Sequence, residues 1–320
     1  MTLYEQIQPA EGKSYEAENI TREQFKVFFT SCEDMSEIPD NSIHLTFTSP
    51  PYFLMRGTVP YESYKDYLGT MYQVLKELYR VTKPGRPIIV NISDYQASEQ
   101  LDEELVEEAE DIELGKRYDI PSHISYLVWK LNKHEATHNE IKYEDTIIWS
   151  KPGSTSNRAG TFISSGFPLK FRPNQVNERI IVFRKGDMDY RRVWKEAQRD
   201  GRYDDLDIST YDKFEDQFKL DYESMRDYLT DLWEIAPETQ SDHPAPFPVE
   251  LPETAIKLYS LPRETVLDPF FGFGTTALAA QKTDRKSVGY ENFDAEDEDD
   301  DFRSNIVERL GADSMTLDQF

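Results

Sequence analysis

Short apolar runs alternate with helical stretches along most of this chain, and that alternation decides its class. The runs 43–47, 87–92, 265–267 and 287–290 are too short for buried helices and read as strands, as does 24–30. Between them Tyr67, Met71, Val74, Leu75 and Leu78 recur at helical spacing, and Ile124, Leu127, Val128 and Leu131 do so within 121–133. Further helices are expected at 252–259 and 275–281. Strands 145–149 and 179–183 bracket a long loop. Strands alternating with helices call for an α/β fold, a mostly parallel sheet with helices on both faces.

The stretch Thr48-Ser49-Pro50-Pro51-Tyr52 ends the strand at 43–47. Each proline fixes its own φ and pushes the residue before it toward an extended conformation, which gives the Pro50 carbonyl a defined direction. A hydroxyl, a stiff carbonyl and an aromatic face then lie together at a strand end. Such a group can take two hydrogen bonds from an amino group while the ring stacks on whatever carries it.

Charge is informative through its distribution. The net charge of −25 argues against a polyanion partner, yet residues 151–203 carry twelve Lys/Arg against five Asp/Glu. That basic island in an acidic body is the pattern of a localised polyanion site. Its candidate contacts are Arg158, Lys170, Arg172, Arg191, Arg192, Trp194 and Lys195, with Asp94 at the end of a neighbouring strand. The acidity elsewhere suits a high-salt environment, where the Debye length falls to roughly 3 Å near 1 M.

One cysteine, Cys32, excludes an internal disulfide framework, and a polar N-terminus without a long apolar run fits a cytoplasmic protein with no membrane partner. His123, His134 and His138 lack metal-ligand spacing, so no metal is expected.

A second motif runs from Val266 through Asp268-Pro269-Phe270-Phe271-Gly272-Phe273-Gly274-Thr275-Thr276: a strand, a glycine turn and a helix start. Glycines admit close approach of a ligand, and the helix N-terminus favours an anionic group. Glu291 ends the following strand, placed to accept hydrogen bonds from ribose hydroxyls. By itself this pattern also fits a nicotinamide-linked oxidoreductase.

Together the two motifs resemble the amino-group DNA methyltransferases. The stretch 268–276 looks like their S-adenosylmethionine motif, and 48–52 looks like their catalytic motif in its cytosine-N4 form. The catalytic motif comes first, the order of the permuted β group, and His243-Pro244-Ala245-Pro246-Phe247-Pro248 matches a third block of that group. The resemblance implies a seven-stranded sheet with one antiparallel strand and the pair at 147 and 181 as its hairpin edge. It implies catalytic roles for Ser49, Pro50, Pro51 and Tyr52. It implies cofactor contacts from Asp34, Met35, His243, Phe247, Asp268, Pro269, Phe270, Gly272, Gly274, Thr275 and Glu291.

Five parts follow from it: a polar lead-in at 1–23, a catalytic half at 24–185, a target-recognition insert at 186–231, a cofactor half at 232–293 and an acidic tail at 294–320. The expected activity is methylation of a flipped cytosine at N4 in double-stranded DNA, with a cognate restriction endonuclease as a further partner. The alternatives are an adenine-N6 methyltransferase and a catalytically inactive DNA-binding protein.

Overall fold

The computed structural model describes residues 20–21, 24–53, 61, 63–96, 117–134, 140–152, 176–238, 247–292 and 305–310. Its strands are β1 (Ile20–Thr21), β2 (Phe25–Phe28), β3 (Leu45–Thr48), β4 (Pro87–Ile92), β5 (Tyr95–Gln96), β6 (Arg117–Tyr118), β7 (Ile141–Ser150), β8 (Asn177–Lys185), β9 (Leu232–Glu234), β10 (Thr265–Asp268) and β11 (Lys286–Tyr290). The helices are α1 (Tyr64–Val81), α2 (Ile120–His134), α3 (Tyr190–Arg199), α4 (Tyr211–Phe218), α5 (Tyr222–Met225), α6 (Glu250–Tyr259), α7 (Thr275–Lys282) and α8 (305–310).

Among the described residues, nine strands form one sheet in the order β1-β2-β11-β10-β3-β4-β8-β7-β9. The sheet is α/β and mostly parallel, as expected, with two short flanking strands, β1 and β9, beyond the seven anticipated. Two expectations about its edges are corrected. The β7–β8 hairpin is not the edge, because β9 pairs parallel with β7 through Ile148↔Leu232. The antiparallel strands are β8, inside the sheet, and β1 at its rim.

The chain order is permuted in space. Strands β10 and β11 pair in parallel with each other and sit between β2 and β3, so the end of the sequence fills the middle of the sheet. Alternation along each strand then divides the core. Val90, Ile92, Ile181 and Phe183 face α1 and α2, while Leu45, Phe47, Ile89, Ile180 and Val182 face α6. Helix α1 begins where Ser63 Oγ accepts the Asp66 N–H at 3.1 Å, and it buries Tyr67, Met71, Val74, Leu75 and Leu78, the stripe read from the sequence.

Residues 186–231 hold helices α3, α4 and α5 and a small core of Val193, Ala197, Tyr203, Ile208 and Phe214. This module docks where β4 and β10 begin. Arg192 donates to the Pro84 carbonyl at 2.8 Å, the Tyr203 hydroxyl donates to that of Pro262 at 2.6 Å, and Arg202 lies 3.8 Å from fully buried Glu264, which pairs with Arg86. It therefore occupies the end of the sheet opposite the one where Ser49 and Glu291 emerge.

The segment 294–320 is more than an acidic tail. Its helix α8 buries Ile306 and Leu310 against Phe25, Val27, Phe271 and Leu278. The acidic stretch 98–115 lies outside the described residues, between β5 and β6.

Candidate active site

Strands β3, β10 and β11 run parallel, so the loops that follow them open at one end of the sheet, where open α/β sheets bind ligands. A cavity of about 650 Å³ lies there. Ser49, Pro50, Pro51 and Tyr52 line one part of it, and Pro269, Phe270, Gly272, Thr275 and Glu291 line another, with Phe247 between. Two motifs more than two hundred positions apart thus meet in one crevice.

Hydrogen bonds hold them in register. The Thr48 hydroxyl donates to Asp268 Oδ1 at 2.8 Å, the Thr276 hydroxyl to Asp268 Oδ2 at 2.6 Å, and the Phe270 N–H to Oδ1 at 3.1 Å. Burial pushes the Asp268 carboxyl up to about 7, against the pull of those three donors. Asp268 is thus engaged inside the protein and does not line the cavity, where a ligand contact was expected.

Glu291 stands on the cavity wall. Its Oε2 accepts the Gly272 N–H at 2.6 Å, which leaves Oε1 for a ligand. Burial pushes this carboxyl up to about 7 as well; the Gly272 N–H opposes the shift and the Asp268 charge adds to it.

The turn between these carboxylates depends on glycine. Gly274, at φ 76°, caps α7 in the left-handed region. On Gly289, a Cβ would stand 2.1 Å from the Phe271 ring and 2.8 Å from the Asp268 carbonyl, so only glycine lets β11 pass so close.

Other expected cofactor contacts are placed differently. Met35 is fully buried in the core, its N–H donating to Glu77 at 2.9 Å, and Asp34 caps the Ser36 N–H at 3.1 Å; the adjacent Ser31, Cys32 and Glu33 line the cavity instead. His243 lies outside the described residues.

The candidate DNA contacts fall in three groups. Arg158, Lys170 and Arg172 lie outside the described residues, in a segment whose ends, Lys151 and Val176, meet at the cavity end of the sheet. Arg191, Arg192, Trp194 and Lys195 sit on α3 at the opposite end; Arg191 stacks over Tyr211, and the Trp194 indole donates to the Ile208 carbonyl at 2.9 Å. Asp94 is not on the cavity wall. The described part of the basic island on α3 therefore lies away from the cavity.

Several lining residues escaped the sequence reading: Asn91, Trp149, Lys151 and Glu178 around Ser49, and Arg309 of α8 beside the Phe273 carbonyl. Among the described residues no group of His, Cys, Asp or Glu is arranged to hold a metal ion, and no helix is long and apolar enough to cross a membrane.

The chain is similar to known proteins. A family model described as DNA methylase, of the N6/N4 methyltransferases, matches residues 43–295. The type II methyltransferase M.MjaI of Methanocaldococcus jannaschii is 30% identical over 305 residues, covering 83% of this chain and 86% of that protein. M.MthZI of Methanothermobacter thermautotrophicus is 26% identical over 295 residues, covering 83% and 72%. Among solved structures, TTHA0409 of Thermus thermophilus in complex with S-adenosyl-L-methionine superposes with a TM-score of 0.61 at 20% identity, covering 89% of this chain and 93% of that one. The PvuII DNA methyltransferase, described as cytosine-N4-specific, does so with a TM-score of 0.55 at 16% identity, covering 91% and 94%. These likenesses set aside the nicotinamide-linked oxidoreductase. The match over residues 43–295, with the 30% identity to M.MjaI, makes the chain a member of the N6/N4 DNA methylase family.

Proposed function

We propose that the protein transfers a methyl group from S-adenosylmethionine to the exocyclic N4 nitrogen of a cytosine flipped out of double-stranded DNA. The observation that carries this reading is the single cavity shared by Ser49, Pro50 and Tyr52 on one side and Gly272, Thr275 and Glu291 on the other.

The lining fits the cofactor. Glu291 Oε1 is free to accept from ribose hydroxyls, the first turn of α7 presents backbone N–H groups to a carboxylate, and Phe270 and Phe247 supply apolar surface for a purine. When bound, the cofactor supplies an electrophilic methyl group.

The chain's own part is to present the nucleophile. An exocyclic amino group is a poor nucleophile because its lone pair is delocalised into the ring. Ser49 Oγ and the Pro50 carbonyl accept hydrogen bonds from its two N–H groups and direct the lone pair toward the cofactor side of the cavity; once methylated, the nitrogen sheds one proton to solvent. No strong base is required; positioning carries the work. Flipping costs a few kcal/mol, and stacking on Tyr52, worth roughly 1–3 kcal/mol, offsets much of it. Serine ahead of the two prolines supports cytosine over adenine, since adenine-directed members of the family more often carry an acid or amide there.

Type II naming of the relatives supports a restriction-modification role beside a cognate endonuclease, in the cytoplasm. The acidic remainder of the chain supports a high-salt host. Mass analysis of nucleosides from DNA incubated with the protein and cofactor tests the reading. N4-methylcytosine is expected; N6-methyladenine would move the assignment to the other base, and unmodified DNA would overturn it.

A further inference from the structure

A polar row crosses the cavity end of the sheet beside the clamp. Alternation places it: Ser49 follows Phe47 on one face of β3, Asn91 follows Ile89 on β4, Glu178 precedes Ile180 on β8, and Lys151 follows Trp149 beyond β7. Each is the next same-face position past a core residue, and Thr48↔Val90, Asn91↔Ile180 and Trp149↔Glu178 bring the four strands level. The stripe that is apolar within the sheet thus turns polar where it meets the cavity.

Contacts join the row. The Asn91 amide nitrogen donates to Glu178 Oε2 at 2.7 Å and approaches Ser49 Oγ at 3.4 Å. Lys151 donates to Glu178 Oε1 and lies 4.3 Å from the centre of the Trp149 ring. The Tyr52 hydroxyl donates to the same carboxylate. A carboxylate only accepts, so Glu178 dictates which end of the Asn91 amide faces it, and thereby turns an N–H toward Ser49. That orientation leaves Asn91 Oδ1 buried without a partner, a cost that packing alone gives no reason to keep.

We propose that Glu178, held by Lys151, is a positioning residue for methyl transfer: one carboxylate sets the Tyr52 ring directly and the Ser49 hydroxyl through Asn91. The inference rests on Ser49 and Tyr52 being the base clamp and not on which base they hold. With Asn91 on one lone pair of Ser49 Oγ, the other is left for an amino proton. Tying ring and hydroxyl to one group makes stacking and proton acceptance a single geometry.

The test measures single-turnover methyl transfer to unmethylated genomic DNA, S-adenosylhomocysteine affinity by calorimetry, and melting temperature. Glu178→Ala should slow transfer about 100-fold, the cost of a small misplacement, with cofactor affinity unchanged. Glu178→Gln, nearly isosteric and still an acceptor, should recover most of the rate. Asn91→Ala and Tyr52→Phe should each reproduce part of the loss and add nothing in the Glu178→Ala background. A wild-type rate in Glu178→Ala, additive losses, or a fall in rate matched by equal falls in cofactor affinity and melting temperature would overturn the proposal. The crystal structure of Glu178→Ala supplies a readout that needs no turnover: the Asn91 amide and the Tyr52 ring should leave their positions, and their staying in place would count against it. Nucleoside analysis of the wild-type product reports separately on the function itself.

Discussion

The Thr48 hydroxyl and Asp268 Oδ1 are 2.8 Å apart across 220 positions of sequence. This bond ties the last residue of the clamp strand to the last residue of the cofactor strand, so the two motifs are aligned by a side chain as well as by the sheet. Thr48→Val removes the donor while keeping shape. It should cost about 1–3 kcal/mol of stability and slow methyl transfer more than it weakens cofactor binding. Thr48→Ser should restore both. Denaturant melts beside calorimetry with S-adenosylhomocysteine would separate the effects.

Asp268 and Glu291 give the protein opposing pH responses. Both carboxyls titrate near 7 in the folded chain, above their ordinary 3.8 and 4.5, so the folded state holds their protons more tightly than the unfolded one. Their contribution to stability is complete below the ordinary values and is lost as pH rises through about 7. The cofactor-free protein should melt at a higher temperature near pH 5 than near pH 8, and Asp268→Asn should reduce that difference. Cofactor affinity should run the other way, since an ionised Glu291 is the better acceptor for ribose hydroxyls. Calorimetry with S-adenosylhomocysteine should show tighter binding as pH rises through about 7, with the trend flattened in Glu291→Gln.

The buried pair beneath the sheet bears on stability alone. Glu264, fully buried, pairs with Arg86, has Arg202 Nη1 at 3.8 Å and accepts the Leu261 N–H at 2.9 Å. Glu264→Ala strands a buried guanidinium and should cost about 3–5 kcal/mol. Cofactor affinity of the fraction that remains folded should be unchanged, because no contact of this pair reaches the cavity.

DNA contact should follow the cavity end of the sheet. Replacing Arg158, Lys170 and Arg172 together by Ser should weaken DNA binding and flatten its salt dependence, by about 0.9 in the log–log slope for each phosphate no longer neutralised. Replacing Arg191 and Lys195 should leave both unchanged. Fluorescence anisotropy over a salt series distinguishes the two groups of residues, and equal losses from either would return the recognition role to the module at 186–231.

Salt should also strengthen the fold. Screening relieves repulsion within a body of net charge −25, so the melting temperature should rise between about 0.1 and 1 M KCl, where the Debye length shortens from roughly 10 to 3 Å.

The strands and helices that position the site were legible because each signal is local. Apolar runs bounded by Pro and Gly marked β3, β4, β10 and β11, and the stripe of α1 was read residue by residue. Ser49, Tyr52, Gly272 and Glu291 were legible as motif positions and do line one cavity. What stayed hidden depends on register. Asn91 and Glu178 look like ordinary polar residues at strand ends until β4 and β8 are known to be antiparallel neighbours. The docking end of the module at 186–231 follows from β8 running downward, which no local pattern states. Asp268 was assigned to the ligand because its motif faces one; of the two threonines that occupy it, Thr48 is remote in sequence and Thr276 is an ordinary helix residue.

Strands β10 and β11 slot between β2 and β3, so the N-terminal part of the chain taken alone has a two-strand gap where the catalytic seam belongs. Neither half possesses an active site of its own. A polypeptide nicked within 219–231 keeps every neighbour relation around the crevice, so two separately expressed pieces should regain methyl transfer only on being mixed. Complementation of that kind would make the enzyme a natural split reporter, silent until its last third arrives.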